Sequence, residues 1–181
     1  MSSANPPHPV ALHPIALDQW EALRETRLAA LKDAPGAFGS TFERESAMTD
    51  DEWRARVGVW NSERARALLA WDGAQARGIV AGFLDQDDPK TAHLVSMWVD
   101  PGLRRSGVGA RLVGAILDWA RSVSAERVVL NVTSTNAGAR AFYKHLGFTP
   151  TGRTEPYPND PAVIEHEMVI HLAPKAGTMS A

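Results

Sequence analysis

The stretch that decides the fold runs from Leu94 to Ala110, LVSMWVDPGLRRSGVGA, where an apolar segment gives way to a basic, glycine-containing turn. After the turn, apolar residues recur at helical spacing, at Val108, Leu112, Val113, Ile116, Leu117 and Ala120. This pattern predicts a strand, a turn and a helix that begins close to Gly107. Because the first N–H groups of a helix have no intrahelical partner, the turn offers backbone donors to an anion. Glycines at 107 and 109 would allow a ligand to approach the backbone closely.

Two arginines lie in the same turn. Arg104 and Arg105 precede the helix, where the macrodipole is positive and disfavours a cation by ~0.3–1 kcal/mol. Their placement becomes favourable when a phosphate-bearing ligand occupies the turn, since guanidinium groups form charge-assisted contacts with phosphate. The spacing fits neither the Gly-x-Gly-x-x-Gly dinucleotide fingerprint nor a P-loop. We therefore predict a phosphate-binding turn of another kind.

Bulk composition excludes several classes of function. The 181 residues suit one domain, and the absence of cysteine excludes disulfides, thiolate metal sites and a cysteine nucleophile. A net charge of −2 and a pI near 6.3 argue against a nucleic-acid partner. The sequence contains no apolar run long enough to span a membrane, and its start, MSSANPPHPV, does not resemble a signal peptide. We expect a cytoplasmic protein with neither nucleic acid nor membrane as a partner.

The chain is predicted to hold one α/β domain over residues 10–172, between a disordered tail at 1–9 and a flexible tail at 173–181. The predicted order is β, α, α, β, β, β, α, β, α, β, with a further short strand possible over 149–154. In its first half we expect a strand at 10–13, a helix that Asp18 caps and that runs to about Lys32, and a loop at 37–48. We then expect a helix after the capping box Thr49–Glu52 and a hairpin of 67–71 and 78–84 around Asp72-Gly73.

In the second half the patterns predict a βαβ unit. We expect strands at 92–99, 127–132 and 163–172, a helix to about Val123, and a shorter helix from a Thr135 or Asn136 cap to His145, with Gly147 just after it.

Two blocks carry a resemblance to a known family. The spelling Arg104-x-x-Gly107-x-Gly109 after Val99-Asp100-Pro101 resembles the acetyl-CoA signature of the GCN5-related N-acetyltransferases, the GNAT family. The block at 136–148, NAGARAFYKHLGF, is similar to the family's Asn-x-x-Ala-x-x-x-Tyr-x-x-x-Gly-Phe element. The resemblance covers nearly all of residues 10–172. It implies the GNAT fold, an α/β (α+β) architecture whose mixed, twisted sheet of about six to seven strands has splayed central strands and about four flanking helices.

The resemblance also implies acetyl-CoA as co-substrate, bound where the fourth and fifth strands splay. Backbone groups of Met97 and Val99 would bind the pantetheine, and an N–H near Met97 or Trp98 would polarise the thioester carbonyl. The pyrophosphate would lie on the turn formed by Arg104, Arg105, Ser106, Gly107, Val108, Gly109 and Ala110. Asn136, Arg140 and Tyr143 fall at i, i+4 and i+7, so one helix face would present all three to the cofactor.

The implied chemistry is direct attack of a neutral amine on the thioester in a ternary complex, without metal or acyl-enzyme. The hydroxyl of Tyr143 would protonate the departing thiolate as general acid. His93 lies six residues before Val99, where many family members carry a glutamate, and a histidine is a competent base near neutral pH. Glu43, Glu45 or ordered water are the alternative routes for the proton.

In the family, the positions that line the acceptor site correspond here to residues 38–45, the turn at 155–160 and one residue of the strand predicted at 92–99. They give Phe38, Glu43, Glu45, Trp98 and Tyr157 as candidate substrate-binding residues. The carboxylates favour a small cationic amine, such as a polyamine, an amino sugar or an amine-bearing antibiotic, over a protein N-terminus or lysine. The rival hypothesis is a non-catalytic acyl-CoA-binding sensor or partner-binding module. A homodimer is compatible with the resemblance.

Overall fold

A computed structural model describes residues 9–173, which form eight strands and five helices. The strands are β1 Ala11–Pro14, β2 Asn61–Ser62, β3 Ala65–Asp72, β4 Gln75–Leu84, β5 Thr91–Val99, β6 Arg127–Thr133, β7 Thr149–Tyr157 and β8 Asp160–His171. The helices are α1 Trp20–Asp33, α2 Phe42–Ser46, α3 Asp50–Trp60, α4 Val108–Ser122 and α5 Ala137–His145. Except for Pro9 and Ala173, the predicted tails lie outside the described residues.

The strands form a mixed sheet in the order β1-β3-β4-β5-β6-β8-β7, with β2 paired to β3. All neighbours are antiparallel except β5 and β6. That parallel pair is short, because only Thr91–His93 faces Arg127–Val129 before the strands part. The predicted mixed sheet with splayed central strands is confirmed, and the splay lies in the middle of the sheet.

Each face of the sheet has its own apolar core. On one face α4 and α5 cover the sheet, with Leu112, Ile116 and Phe148 almost fully buried. On the other face α1 and α3 pack against it through Leu23, Trp53 and neighbouring apolar residues. Within residues 9–173, each helix is too short or too polar to cross a bilayer. Helices therefore cover both faces of the central strands, and two of these strands, β5 and β6, line the cleft described below.

Several local predictions are confirmed. The capping box forms, since the Glu52 N–H donates to Thr49 Oγ1 at 3.3 Å and the Thr49 N–H donates to Glu52 Oε2 at 2.7 Å. Asn136 caps α5 by accepting the Ala139 N–H at 3.0 Å. Gly147 follows that helix with a φ of 96°, a conformation that glycine adopts without a Cβ penalty.

Other boundaries differ from the prediction. Asp18 does not cap α1, because the cap is Gln19, whose side chain instead accepts the Ala16 N–H. The predicted loop at 37–48 contains α2, a helix of five residues that is too short to show apolar periodicity. The strand β7 extends through residue 157, although almost all of its side chains are exposed and so give no apolar alternation. These additions account for the extra helix, and the two-residue β2 for an extra strand.

Candidate active site

A cleft of about 400 Å³ opens where β5 and β6 part, beyond His93 and Val129. Its walls come from β5, β6, α5, β7, β8 and the segment after α1. At Ser96 the backbone of β5 has a φ of 56°, and the register with β4 shifts at the same place. From Leu94 onward, β5 has no strand partner on its cleft side within the described residues. This free edge can pair with an extended ligand in the manner of an added strand.

The turn before α4 forms one end of this edge. Gly107 caps the helix with a φ of 85°, and no acceptor in the described part of the chain meets the N–H groups of Val108, Gly109 and Ala110. A Cβ on Gly109 would lie 3.3 Å from both Met97 Cε and Phe142 Cζ, so a side chain there would crowd the junction of β5, α4 and α5. The unpaired donors and the positive end of the helix dipole are features that favour an anion at this turn.

The turn offers fewer free backbone N–H groups than predicted. The Arg104 N–H donates to the Pro101 carbonyl at 3.3 Å, and the Ser106 N–H donates to Leu103 at 3.4 Å. These two groups already have acceptors inside the preceding 3₁₀ turn. Within the predicted range 104–110, the N–H groups that meet no acceptor in the described residues include those of Val108, Gly109 and Ala110, at the start of α4.

The two arginines have different surroundings. Arg104 donates from Nε to the Val99 carbonyl at 3.0 Å, and its guanidinium forms an ion pair with Asp33 at the end of α1. In this structure the Arg104 side chain therefore stabilises the turn, and its predicted phosphate contact would require the guanidinium to share or exchange these partners. The Arg105 side chain is exposed, and its backbone φ is 65°. Of the pair, Arg105 has the guanidinium available to an incoming anion.

Helix α5 brings Asn136, Ala139 and Tyr143 to the cleft. Arg140, which was predicted to share this face, is not among the cleft-lining residues, and its Nε is buried without a hydrogen-bond partner within residues 9–173. The residues that line the cleft are therefore spaced i, i+3, i+7 and not i, i+4, i+7, and the first of them, Asn136, is the N-cap that precedes the helix.

Tyr143 is a buried polar residue of the cleft, with 7% of its surface exposed. Its ring packs against Phe142 and Phe148 at centroid distances of 5.2 and 5.6 Å. Burial raises the pKa of the Tyr143 hydroxyl well above its ordinary value, so the group keeps its proton at neutral pH. A protonated phenol beside the cleft can donate that proton to a developing anion.

His93 is the last residue of β5 to face β6 before the splay, and it lines the cleft. Its Nε2 lies 2.8 Å from Asp85 Oδ2, and its ring stacks on Phe83 at a centroid distance of 4.8 Å. The His93 hydrogen bond, together with the backbone N–H groups of Asp87 and Asp88, holds the pKa of Asp85 below its ordinary value. A charged carboxylate is therefore the neighbour of this imidazole.

Three glutamates line the opposite wall: Glu155, which belongs to the acceptor-lining turn predicted at 155–160, and Glu165 and Glu167, which were not predicted. Glu165 and Glu167 lie two residues apart on β8, so they share a face of the strand, and Glu155 on β7 is paired with Glu165. Burial and the nearby Glu155 charge raise the pKa of Glu165. The signal in the sequence was the Glu-x-Glu spacing within an alternating strand.

Glu45 is ruled out as an acceptor-binding group or base by its partners. The carboxylate is 2% exposed and accepts from Arg27 Nη2 at 2.9 Å and from Arg56 Nη1 at 2.7 Å. Although burial by itself would raise the pKa of Glu45, the two guanidinium groups hold it below its ordinary value. Glu43, on the same short helix, is exposed and lies outside the cleft lining.

Of the three aromatic residues that were predicted to bind the acceptor, one lines the cleft and two do not. Phe38 lies in the cleft wall, 6% exposed. The side chain of Trp98 packs into the α1/α3 core, and its Nε1 donates to Asp33 at 2.8 Å. The Tyr157 hydroxyl donates to the carbonyls of Phe38 at 2.6 Å and Pro35 at 3.1 Å. The Trp98 and Tyr157 side chains, which were predicted to bind the acceptor, do not line this cleft, because both are held in structural contacts.

Comparison with known proteins agrees with this geometry. The sequence profile described as the Acetyltransferase (GNAT) family matches residues 20–148. This chain belongs to that family.

Its relatives carry different names. The chain is 35% identical over 114 residues to a mycothiol acetyltransferase of Beutenbergia cavernae, a match that covers 63% of this chain and 38% of that protein. It is 28% identical over 135 residues to the N-alpha-acetyltransferase RimI of Mycobacterium tuberculosis, covering 72% and 82% of the two chains. The structure of yncA from Salmonella typhimurium, solved with acetyl-CoA, superposes with a TM-score of 0.75 at 17% identity over 96% of this chain and all of that one.

Proposed function

We propose that the protein is an N-acetyltransferase that transfers the acetyl group of acetyl-CoA to a primary amine by direct attack. The observation that carries the proposal is the cleft itself. A free strand edge on β5 leads to the N-terminus of α4, whose first N–H groups meet no acceptor within residues 9–173, and a buried, protonated tyrosine lies in the same cleft. The neighbour solved with acetyl-CoA shares this fold.

The residues present fit acetyl-CoA in chemical type. Backbone groups of Met97 and Val99 on the free edge match a pantetheine arm, which carries amide donors and acceptors. The N–H groups of Val108, Gly109 and Ala110 match the pyrophosphate. Acetyl-CoA supplies the activated thioester, and the protein supplies orientation, exclusion of water and proton transfer.

Two side chains of the cleft match the proton transfers that the reaction needs. The attacking amine must be neutral, and the imidazole of His93 accepts its proton directly or through water. The Tyr143 hydroxyl then protonates the departing thiolate. His93 and Tyr143 lie on β5 and α5, which form facing parts of the same cleft. This arrangement supports an enzyme rather than a sensor that only binds the thioester.

The acceptor is proposed to be a small amine that carries positive charge. Its support is the wall formed by Glu155, Glu165 and Glu167, because carboxylates concentrate cations in a partly enclosed cleft. The wall takes over the role that the sequence suggested for Glu43 and Glu45.

The first experiment measures thermal unfolding with and without acetyl-CoA and then CoA release with a panel of amines and peptides. Ligand at ~100 times its Kd stabilises the folded state by ~2.7 kcal/mol, which raises Tm by several degrees in a chain of about this size. A rise in Tm with amine-dependent release establishes the enzyme. A rise without release from any acceptor favours the sensor, and an unchanged Tm contradicts the cleft assignment.

The acidic wall gives a second prediction. Replacing Glu165 and Glu167 together by glutamine is expected to raise KM for a cationic amine by about 30-fold, because two lost charged contacts of about 1 kcal/mol each weaken binding by about 2 kcal/mol. The KM for acetyl-CoA is expected to stay unchanged. Steady-state kinetics with each substrate varied in turn measures both values.

A matched control is Glu63→Gln, which removes an exposed carboxylate at a distance from the cleft lining. Its acceptor KM is expected to equal that of the native protein. An unchanged KM in the double variant would remove the wall from acceptor recognition and leave the transferase proposal in place.

A further inference from the structure

We propose that Asp85 is a positioning residue for the transfer reaction: its carboxylate accepts the Nε2–H of His93 and so leaves Nδ1 as the basic nitrogen. This inference rests on the proposed function and adds to it a residue that no sequence motif indicated. Asp85 lies outside β4 and β5, in the loop that joins them, and does not line the cleft. It would act through the imidazole and not on the substrate.

The imidazole is held on two sides. Phe83 is the residue of β4 directly opposite His93, and the two rings stack at 4.8 Å with an interplanar angle of 13°. The 2.8 Å contact between His93 Nε2 and Asp85 Oδ2 then fixes the rotation of the ring about its side chain. Face and edge contacts together leave one orientation, which preorganised catalytic groups require.

Asp85 is itself fixed by its loop. Its Oδ1 accepts the backbone N–H groups of Asp87 at 2.9 Å and Asp88 at 3.0 Å. Its own N–H donates to the Thr91 carbonyl at 2.9 Å, and Arg64 donates to its carbonyl at 2.7 Å. Oδ1 of Asp85 therefore stabilises the loop, and Oδ2 is left to accept a hydrogen bond from His93. These hydrogen bonds hold the loop between the end of β4 and the start of β5, and with it the Asp85 side chain, in one conformation.

Charge fixes the direction of the hydrogen bond. The carboxylate of Asp85 is ionised at neutral pH, as its depressed pKa requires, and an ionised carboxylate only accepts. In a neutral imidazole one nitrogen donates and the other accepts, so donation from Nε2 leaves the lone pair on Nδ1. The same logic places the tautomer in other carboxylate–histidine pairs that carry out base catalysis.

The other charged groups near the His93–Asp85 pair have their own partners, are exposed or lie across the cleft. Asp88 pairs with Arg127 at the start of β6, while Asp87 is exposed without a side-chain partner in the described residues. Arg64 contacts the loop through a backbone carbonyl. On the cleft side, the nearest acidic wall is that of β8, with Glu165 and Glu167. Asp85 is thus the one carboxylate that contacts the His93 ring in the described structure.

The test compares Asp85→Asn with Asp87→Asn, a matched change two residues away in the same loop. Asp85→Asn is expected to lower kcat by about 10-fold or more with KM for acetyl-CoA unchanged, whereas Asp87→Asn leaves kcat unchanged. Asp85→Asn added to His93→Gln is expected to cause no further loss, because residues that act as a unit are not additive. Both variants are checked for native Tm and for the Tm rise with acetyl-CoA.

A second readout is the ¹⁵N spectrum of the histidine ring, assigned by comparison with His93→Gln. The native protein is expected to show the Nε2–H tautomer of His93, and Asp85→Asn is expected to lose that preference. An unchanged kcat in Asp85→Asn, or an Nδ1–H tautomer in the native protein, would overturn the proposal. Absence of turnover in the native protein with every acceptor would instead overturn the proposed function, and the tautomer would still report on the pair.

Discussion

Tyr143→Phe is expected to lower kcat by ~10²–10⁴-fold, the range that a general acid contributes, with little change in acetyl-CoA affinity. The change removes one oxygen and keeps the ring that packs between Phe142 and Phe148. Because burial keeps the hydroxyl protonated, the native residue can donate a proton to the thiolate, and phenylalanine cannot. The measurement is CoA release under saturating substrates, with the acetyl-CoA-dependent rise in Tm as the binding assay.

The chain offers a matched control, since it contains two tyrosines. Tyr157→Phe removes a buried hydroxyl that donates to the Phe38 and Pro35 carbonyls, outside the cleft lining. It is expected to cost about 1 kcal/mol of stability and to leave kcat within a few fold. If Tyr143→Phe and Tyr157→Phe gave the same kcat as the native protein, Tyr143 would have no part in the reaction and the thiolate would leave without an acid.

The parts of the fold that sequence could predict are those governed by local rules. The αL conformation at Gly147, the capping box at Thr49 and the turn at Gly73 each follow from a few neighbouring residues. The βαβ unit followed from helical spacing after Val108. The splay could be predicted from resemblance alone, because no local pattern at His93 or Val129 indicates where two strands stop pairing.

The candidate site could be predicted only in part because side-chain partners come from distant segments. Glu45 looked available in sequence, and it is buried against Arg27 and Arg56. Arg104 looked available for phosphate, and it is paired with Asp33, 71 residues away. Conversely, Glu165 faces the cleft because β8 pairs with β6, a long-range register that composition does not reveal. Residue type was a sound guide to the chemistry, while availability depended on the fold.

The Arg27–Glu45–Arg56 cluster joins three helices, α1, α2 and α3, and contacts residues that line the cleft. Arg27 on α1 also donates to Ser96 Oγ at 3.4 Å, and its guanidinium lies 4.6 Å from the Phe38 ring. Ser96 and Phe38 both line the cleft. The cluster therefore supports the bulge of β5 and one cleft wall from behind, so that a loss of stability here also bears on the geometry of the site.

Glu45→Gln is expected to lower the free energy of unfolding by about 3–5 kcal/mol, the cost of leaving buried charge unpaired. The variant keeps the volume of the side chain but leaves Arg27, which is 8% exposed, without its carboxylate. For a chain of this size the loss corresponds to a fall in Tm of at least several degrees. Chemical unfolding monitored through the buried tryptophans measures it.

The free energy of unfolding measured as the pH is lowered tests the role of Glu45 independently. The folded-state pKa of Glu45 lies below its ordinary value because two guanidinium groups bind the charged form. Its contribution is therefore fully present above the ordinary carboxyl pKa and is lost as pH falls through the lowered folded-state value. The difference in stability between the native protein and Glu45→Gln should be largest at neutral pH and shrink in acid. Glu43→Gln, an exposed change on the same helix, should follow the native curve at every pH; equal losses in both variants would mean that the buried ion pairs do not stabilise the fold.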